Sequence, residues 1–105
     1  MKNPEKDYIP MSETAYYILL ALTEECHGYG IIQKVESITS GRLRIGAGTI
    51  YGTLSKFEKD GLINPAGEED RKKMYKISET GKTILKTEYK RICELAENGK
   101  KIPEV

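Results

Sequence analysis

A chain of 105 residues is one domain with a modest core, and at 38% hydrophobic and 31% charged it has the composition of an ordinary globular protein. A net charge of +1 excludes a general polycation, so any nucleic-acid surface has to come from where the charges sit. Two widely separated cysteines and a single histidine argue against a disulfide framework and a metal site, leaving Cys26 and Cys93 as reduced thiols with no cofactor called for.

Residues 1–11 mix alternating charge with two prolines, Tyr8 and Ile9, and read either as a mobile arm or as a short docking segment. This opening is not secretory, and the longest apolar run, residues 15–22, is too short to cross a bilayer; a cytoplasmic protein with no membrane partner is expected. Ser12 and Glu13 supply a cap and a first-turn acid for a helix that runs to about Glu25. Its middle is apolar on all sides, so it should be covered on one side by its own domain and on the other by a second layer, such as another subunit. Cys26-His27-Gly28 is a break, with His27 as a cap or a buried structural residue and Tyr29 in the core. A second helix follows over residues 29–39, with Ile31 or Ile32, Val35 and Ile38 on its inner side, ended by Ser40-Gly41. Arg42-Leu43-Arg44-Ile45 alternates polar with apolar and predicts a very short strand.

Residues 46–63 organise the chain. Ile50, Leu54 and Phe57 recur at helical spacing and share one face, while Gly48, Thr49, Gly52, Ser55, Lys56 and Lys59 lie about half a turn away. That outer face is small, hydroxylic and basic, as a helix entering a groove requires; Tyr51 stands at its edge. Gly61 ends the helix and Leu62-Ile63 begins a strand. An acidic, turn-rich loop over 64–70 then leads to a basic return strand over 71–77. The last helix, capped by Ser78, carries Leu85, Tyr89, Ile92 and Ala96 at coiled-coil-like spacing before Asn98-Gly99 stops it. Three helices and a small hairpin make a mainly α fold with a small β-hairpin, a winged helix-turn-helix plus a C-terminal dimerisation helix. The expected parts are an arm over 1–11, a DNA-binding unit over 12–77, the dimerisation helix over 78–99 and a tail over 100–105, all in a single domain.

Three blocks together resemble the PadR family of bacterial transcriptional regulators, in its short form with one C-terminal helix. They are His27-Gly28-Tyr29-Gly30-Ile31; Gly48-Thr49-Ile50-Tyr51 through Leu54 and on to Phe57-Glu58-Lys59-Asp60-Gly61-Leu62-Ile63; and residues 71–81 from Arg71-Lys72-Lys73 to Thr80-Gly81. The resemblance implies a homodimeric winged-helix repressor whose last helix, with the first, builds the dimer, and which answers to phenolic acids, drugs or other small aromatic compounds. Related proteins often carry Ser-Pro where Gly46-Ala47 stands here. Some use a tryptophan on the last helix to sandwich flat ligands; this chain has none, and Ile92 and Tyr89 lie near that place.

The residues expected to meet double-stranded DNA are Thr49, Tyr51, Gly52, Ser55 and Lys56 on the reading helix and Arg71, Lys72 and Lys73 in the wing, although Glu68, Glu69 and Asp70 beside them would repel DNA. The expected dimer surface is Tyr16, Leu20, Leu85, Tyr89, Ile92 and Ala96. A small aromatic or hydrophobic effector is a further expected partner. The near-neutral charge and acidic wing also fit a second reading, a winged-helix protein-interaction module that does not bind DNA. With one histidine, no phosphate loop and no motif of paired acids, nothing supports an enzyme.

Overall fold

In the computed structural model, which describes residues 3–103, every helix has an identifiable start and stop. The chain runs α1 (Pro4–Tyr8), α2 (Glu13–Ala21), β1 (Cys26–His27), α3 (Gly28–Ile38), α4 (Ala47–Lys59), β2 (Ile63–Glu69), β3 (Lys72–Ile77) and α5 (Glu79–Gly99). Ser12 Oγ accepts the Ala15 N–H at 3.1 Å to start α2. His27 Nδ1 accepts the Gly30 N–H at 3.0 Å to start α3, so the sole histidine is a helix cap. At the end of α3 the Ser40 and Gly41 amides donate back to Ser37 and Glu36, with φ of 52° and 79° at the two residues. Gly61, at φ 80°, closes α4 in the same way through its own amide to Glu58 and that of Leu62 to Phe57. Both are Schellman caps, which need a left-handed residue just past the helix.

The core joins Ile18, Leu19 and Leu22 of the first long helix and its end to Ile31 and Val35 of α3, Ile50, Leu54 and Phe57 of α4, Leu62 and Ile63, and Ile84 of α5. The α4 triplet is buried as its spacing predicts. The helix expected to reach Glu25 stops at Ala21. Leu22 donates to Leu19, Thr23 to Leu20, and the Leu22 carbonyl accepts from Ile77 at 2.8 Å, so it is committed to β3 rather than to another helical turn.

The sheet is antiparallel in the order β1-β3-β2, with Cys26 opposite Tyr75 and His27 opposite Met74. The short strand therefore lies at 26–27 and not at 42–45. Residues 42–45 are held by other means: Leu43 N–H donates to Thr39 Oγ1, Arg42 pairs with Glu13, Arg44 pairs with Glu36 at 3.0 Å, and Ile45 is buried. The hairpin is also longer than the sequence suggests. β2 continues through the acidic stretch to Glu69, and the turn is only Asp70-Arg71, at φ 50° and 64°. Two successive left-handed residues are the signature of a type I′ hairpin turn. Arg71 thus sits in the tip rather than in the strand.

Segment 1–11 docks at least in part, and its first two residues lie outside the described ones. Tyr8 is buried edge-on against Phe57, ring centroids 5.6 Å apart, and its hydroxyl donates to Asp60 Oδ2 at 2.6 Å. Burial and the Asp60 carboxylate hold its phenol well above the ordinary value. Two residues expected inside are outside: Tyr29 is 54% exposed and Ile38 53%. On α3 the inward line is Gly28, Ile31 and Val35, and Tyr29 lies across the helix from it. No helix among the described residues is long and apolar enough to cross a membrane.

Candidate nucleic-acid interface

α4 presents its outer ridge because its other face is filled by the core. Gly48, Gly52, Ser55 and Lys59 form that ridge, all exposed, and a Cβ built on Gly48 or Gly52 would meet nothing within 4 Å. The backbone of α4 is therefore open to close approach along about two turns. Lys59, absent from the residues expected to touch DNA, shares this ridge; the three- and four-residue steps from Gly48 identify it.

The remaining expected contacts divide between two flanks. Thr49 and Lys56 face the docked arm across an open cavity of about 460 Å³, edged by the ridge glycines, that also touches Tyr8 and Met11. Lys56 Nζ lies 5.2 Å from the centre of the Tyr8 ring, so the arm positions that ammonium through its aromatic face. On the other flank Tyr51 leans across Gly28, at the start of α3, and meets Arg71, Lys72 and Lys73 around a cleft of about 220 Å³. The wing and α4 thus converge, and Tyr29, expected in the core, lines the cleft on that side.

Cross-strand register tempers the charge of the wing. Glu68 stands opposite Lys73 and Glu69 opposite Lys72, and Lys73 Nζ is also 3.6 Å from Glu58 of α4. Tyr75 first and Glu58 second raise the affinity of Lys73 for its proton, so it stays charged while partly neutralised locally. The acids do not form a separate tip: only Asp70 shares the turn with Arg71.

The proposed dimer surface is also redistributed. Leu85, expected between subunits, is buried with Gly81, Ile84 and Glu88 against its own domain. The same side of α5 then continues as Ile92, Leu95 and Ala96, with Tyr89 beside it, all of them exposed, Tyr89 at 59% and Leu95 at 56%. Tyr16 and Leu20 of α2 are half-buried on the core's edge. Tyr16, Tyr17, Arg91 and Ile92 border a cavity of about 370 Å³ between α2 and α5. Below it the fully buried Glu88 carboxylate accepts two hydrogen bonds from Arg91, at 2.8 and 2.7 Å. Arg91, with the Met11 amide adding to it, holds that carboxyl below the usual range. Among the described residues no cluster of His, Cys, Asp and Glu could hold a metal ion.

A three-helix core, a capped helix with an open, basic outer ridge and a hairpin beside it define a winged helix-turn-helix of the kind used by transcriptional regulators. The model of the Transcriptional regulator PadR-like family matches residues 18–87, and the chain belongs to that family of regulators, not to an enzyme family. Its fold is similar to that of a PadR-like transcription factor from Bacteroides fragilis, at 26% identity, covering 96% of this chain and 100% of the other with a TM-score of 0.73. It is also similar to Bacillus subtilis PadR solved in complex with operator DNA, at 27% identity over 72% of this chain and 46% of that one, with a TM-score of 0.62. Among curated proteins it is 30% identical to the transcriptional regulator YqjI of Escherichia coli over 73% of this chain. The chain spans only 37% of that relative and 23% of a Streptomyces fradiae transposon protein that it also matches.

Proposed function

We propose that this PadR-like regulator binds double-stranded DNA as a sequence-specific homodimer, with α4 in the major groove and the wing on the flanking backbone. The open ridge of Gly48, Gly52, Ser55 and Lys59, bordered by Lys56 on one side and Tyr51 with the basic wing on the other, carries this reading. The likeness to a PadR solved on operator DNA supports it. Small residues let the helix backbone approach the bases, while hydroxyls and ammonium groups supply donors.

The homodimer is supported by the C-terminal half of α5, where Tyr89, Ile92, Leu95 and Ala96 leave an apolar strip uncovered. Pairing it about a two-fold axis would set two α4 helices about 34 Å apart, one helical turn of DNA. Repression, and release by a small aromatic or hydrophobic effector bound near Tyr16, Tyr17 and Ile92, complete the proposal; the cavity of about 370 Å³ there supports the effector.

The test is fluorescence anisotropy with a duplex from the region upstream of the chain's own coding sequence, across a salt series. Binding should weaken steeply with salt. Replacing Lys56, Arg71, Lys72 and Lys73 together by alanine should flatten the logarithmic slope by about 2–4, at about 0.9 for each phosphate no longer neutralised. An unchanged slope in that variant would count against the surface. The second reading, a protein-interaction module, is favoured by the acids opposite Lys72 and Lys73. It predicts no saturable DNA binding by the intact protein in the same measurement.

A further inference from the structure

We propose that the cleft between the start of α3, α4 and the β3 side of the wing seats a single DNA-backbone phosphate, held by the hydroxyls of Tyr29 and Tyr51 and the ammonium of Lys72, with Gly28 positioning Tyr51. This rests on the DNA-binding reading and names a contact within it.

The cleft is made by pairing across the fold. The two-residue strand β1 hydrogen-bonds to β3 opposite Met74 and Tyr75, which brings the first turn of α3 against the middle of that strand. Tyr51 comes from α4, so three separate segments converge on one spot. Tyr29 and Tyr51 are both more than half exposed, 54% and 55%. Their rings contribute little to the core, which leaves their hydroxyls available to a ligand.

The chemistry of the lining is one-sided. Around the two phenols stand Arg71, Lys72 and Lys73, with His27 and Tyr75 completing the wall, and no carboxylate lines the cleft. Glu68 and Glu69 sit on the neighbouring strand instead. Lys72 Nζ is 5.8 Å from the centre of the Tyr29 ring, a cation–π contact that places the ammonium beside the phenol. Such a set of donors recognises an anion. At about 220 Å³ the cleft is smaller than the usual pocket for a drug-sized ligand, roughly 300–1,000 Å³, and suits one tetrahedral group with its water. It lies on the wing side of α4, where a helix seated in the major groove has the phosphate backbone beside it.

Gly28 fixes the geometry. A Cβ there would lie 2.7 Å from Tyr51 Cε1 and 3.2 Å from its hydroxyl oxygen. Only hydrogen at this position lets the phenol lie across the start of α3. The crowded atoms are the far end of an exposed side chain, so a methyl group would swing the phenol away while the fold stays intact.

The experiment uses the full chain with the upstream duplex, four single variants and one double variant. Tyr29→Phe and Tyr51→Phe should each weaken binding about tenfold, the scale of a hydrogen bond to a charged group, without changing the salt slope. Lys72→Met should weaken binding and reduce the slope by about 0.9. Gly28→Ala should reproduce the loss of Tyr51→Phe at an unchanged melting temperature. A duplex series with single methylphosphonates should reveal one position per half-site that weakens the wild type but not the Tyr29→Phe/Tyr51→Phe double variant. If the wild type binds and both phenylalanine variants stay within about twofold, the phosphate seat is wrong while DNA binding stands. If the wild type binds no DNA, the underlying reading fails and the seat falls with it.

Discussion

Gly81→Ala tests how closely α5 is packed where it leaves the wing. Gly81 lies in the first turn of α5, where Ser78 Oγ accepts its N–H at 3.0 Å. A Cβ there would sit 2.7 Å from Ile77 Cγ1 and 3.2 Å from the Leu62 carbonyl carbon, and closer still to the Leu62 carbonyl oxygen. Helix propensity alone gives alanine an advantage of about 0.5–1 kcal/mol over glycine. Ordinary carbon–carbon contact needs about 3.5–4.0 Å, so α5 has to back away by roughly 1 Å. Two hydrogen bonds stand in the path of that movement: Ser78 N–H to Leu62 O at 2.9 Å, and Ser78 O–H to Gly61 O at 2.6 Å. Each contributes about 1 kcal/mol, and forcing a methyl group into a filled site costs about 1–3 kcal/mol more. The net expectation is a loss of about 2–4 kcal/mol, a large share of the roughly 5–15 kcal/mol that holds a domain together. Urea unfolding followed by far-ultraviolet circular dichroism should show a midpoint lower by about 1–3 M, with wild type and variant compared at one protein concentration. A midpoint equal to or above the wild type would refute the close packing, because propensity would then have decided the sign.

Gly48→Ala and Gly52→Ala should do the opposite, stabilising the fold by up to about 1 kcal/mol because their methyl groups meet open space, yet weakening DNA binding by filling the ridge; a chemical melt and an anisotropy titration on the same samples check both halves. If the proposed homodimer forms through α5, Ile92→Asp should move the protein from dimer to monomer in sedimentation velocity while leaving its helix content intact, since Ile92 is exposed on that helix. Glu88→Gln should destabilise the fold by about 1–2 kcal/mol at neutral pH, less than a fully buried pair would because Arg91 is partly exposed. Because the folded-state pKa of Glu88 is depressed, its contribution is present above the ordinary glutamate range, near 4.3, and disappears as pH falls through the lower folded value. Melts of wild type and variant should therefore converge in acid; a gap that stayed constant with pH would overturn this.

The α4 face was legible because it depends on spacing alone. Ile50, Leu54 and Phe57 had to go inward, and the glycines opposite them outward, whatever the rest of the chain did. The caps at Ser12, Gly61 and Ser78 were legible for the same local reason, whereas His27, open between a cap and a buried residue, was decided by its bond to the Gly30 amide. Other assignments failed where a distant partner decides. Alternation at 42–45 is as good as at many strands, but no edge lies beside it, whereas Cys26-His27, with almost no strand signal, lies along the free edge of β3. The acidic stretch extends the wing because lysines on β3 face its glutamates. Leu85 and Ile92 share a stripe, yet Leu85 joins the core while Ile92 borders a cavity with Tyr16 and Tyr17, a difference that spacing on α5 does not carry.

By itself, then, the sequence determined the class: where the four longer helices α2 to α5 lie, though not the short α1 within the arm, which face of α4 is covered, and that a basic hairpin follows it. Those features arise from residues three to seven apart, whose geometry the backbone dictates. Tertiary structure alone decided what surrounds α4. Tyr8 reaches Asp60 across 52 positions to dock the arm beside Lys56, and a two-residue strand carries Tyr29 and Gly28 to Tyr51 and Lys72. Such contacts join positions with no regular spacing between them, and they form only once the shared core has closed.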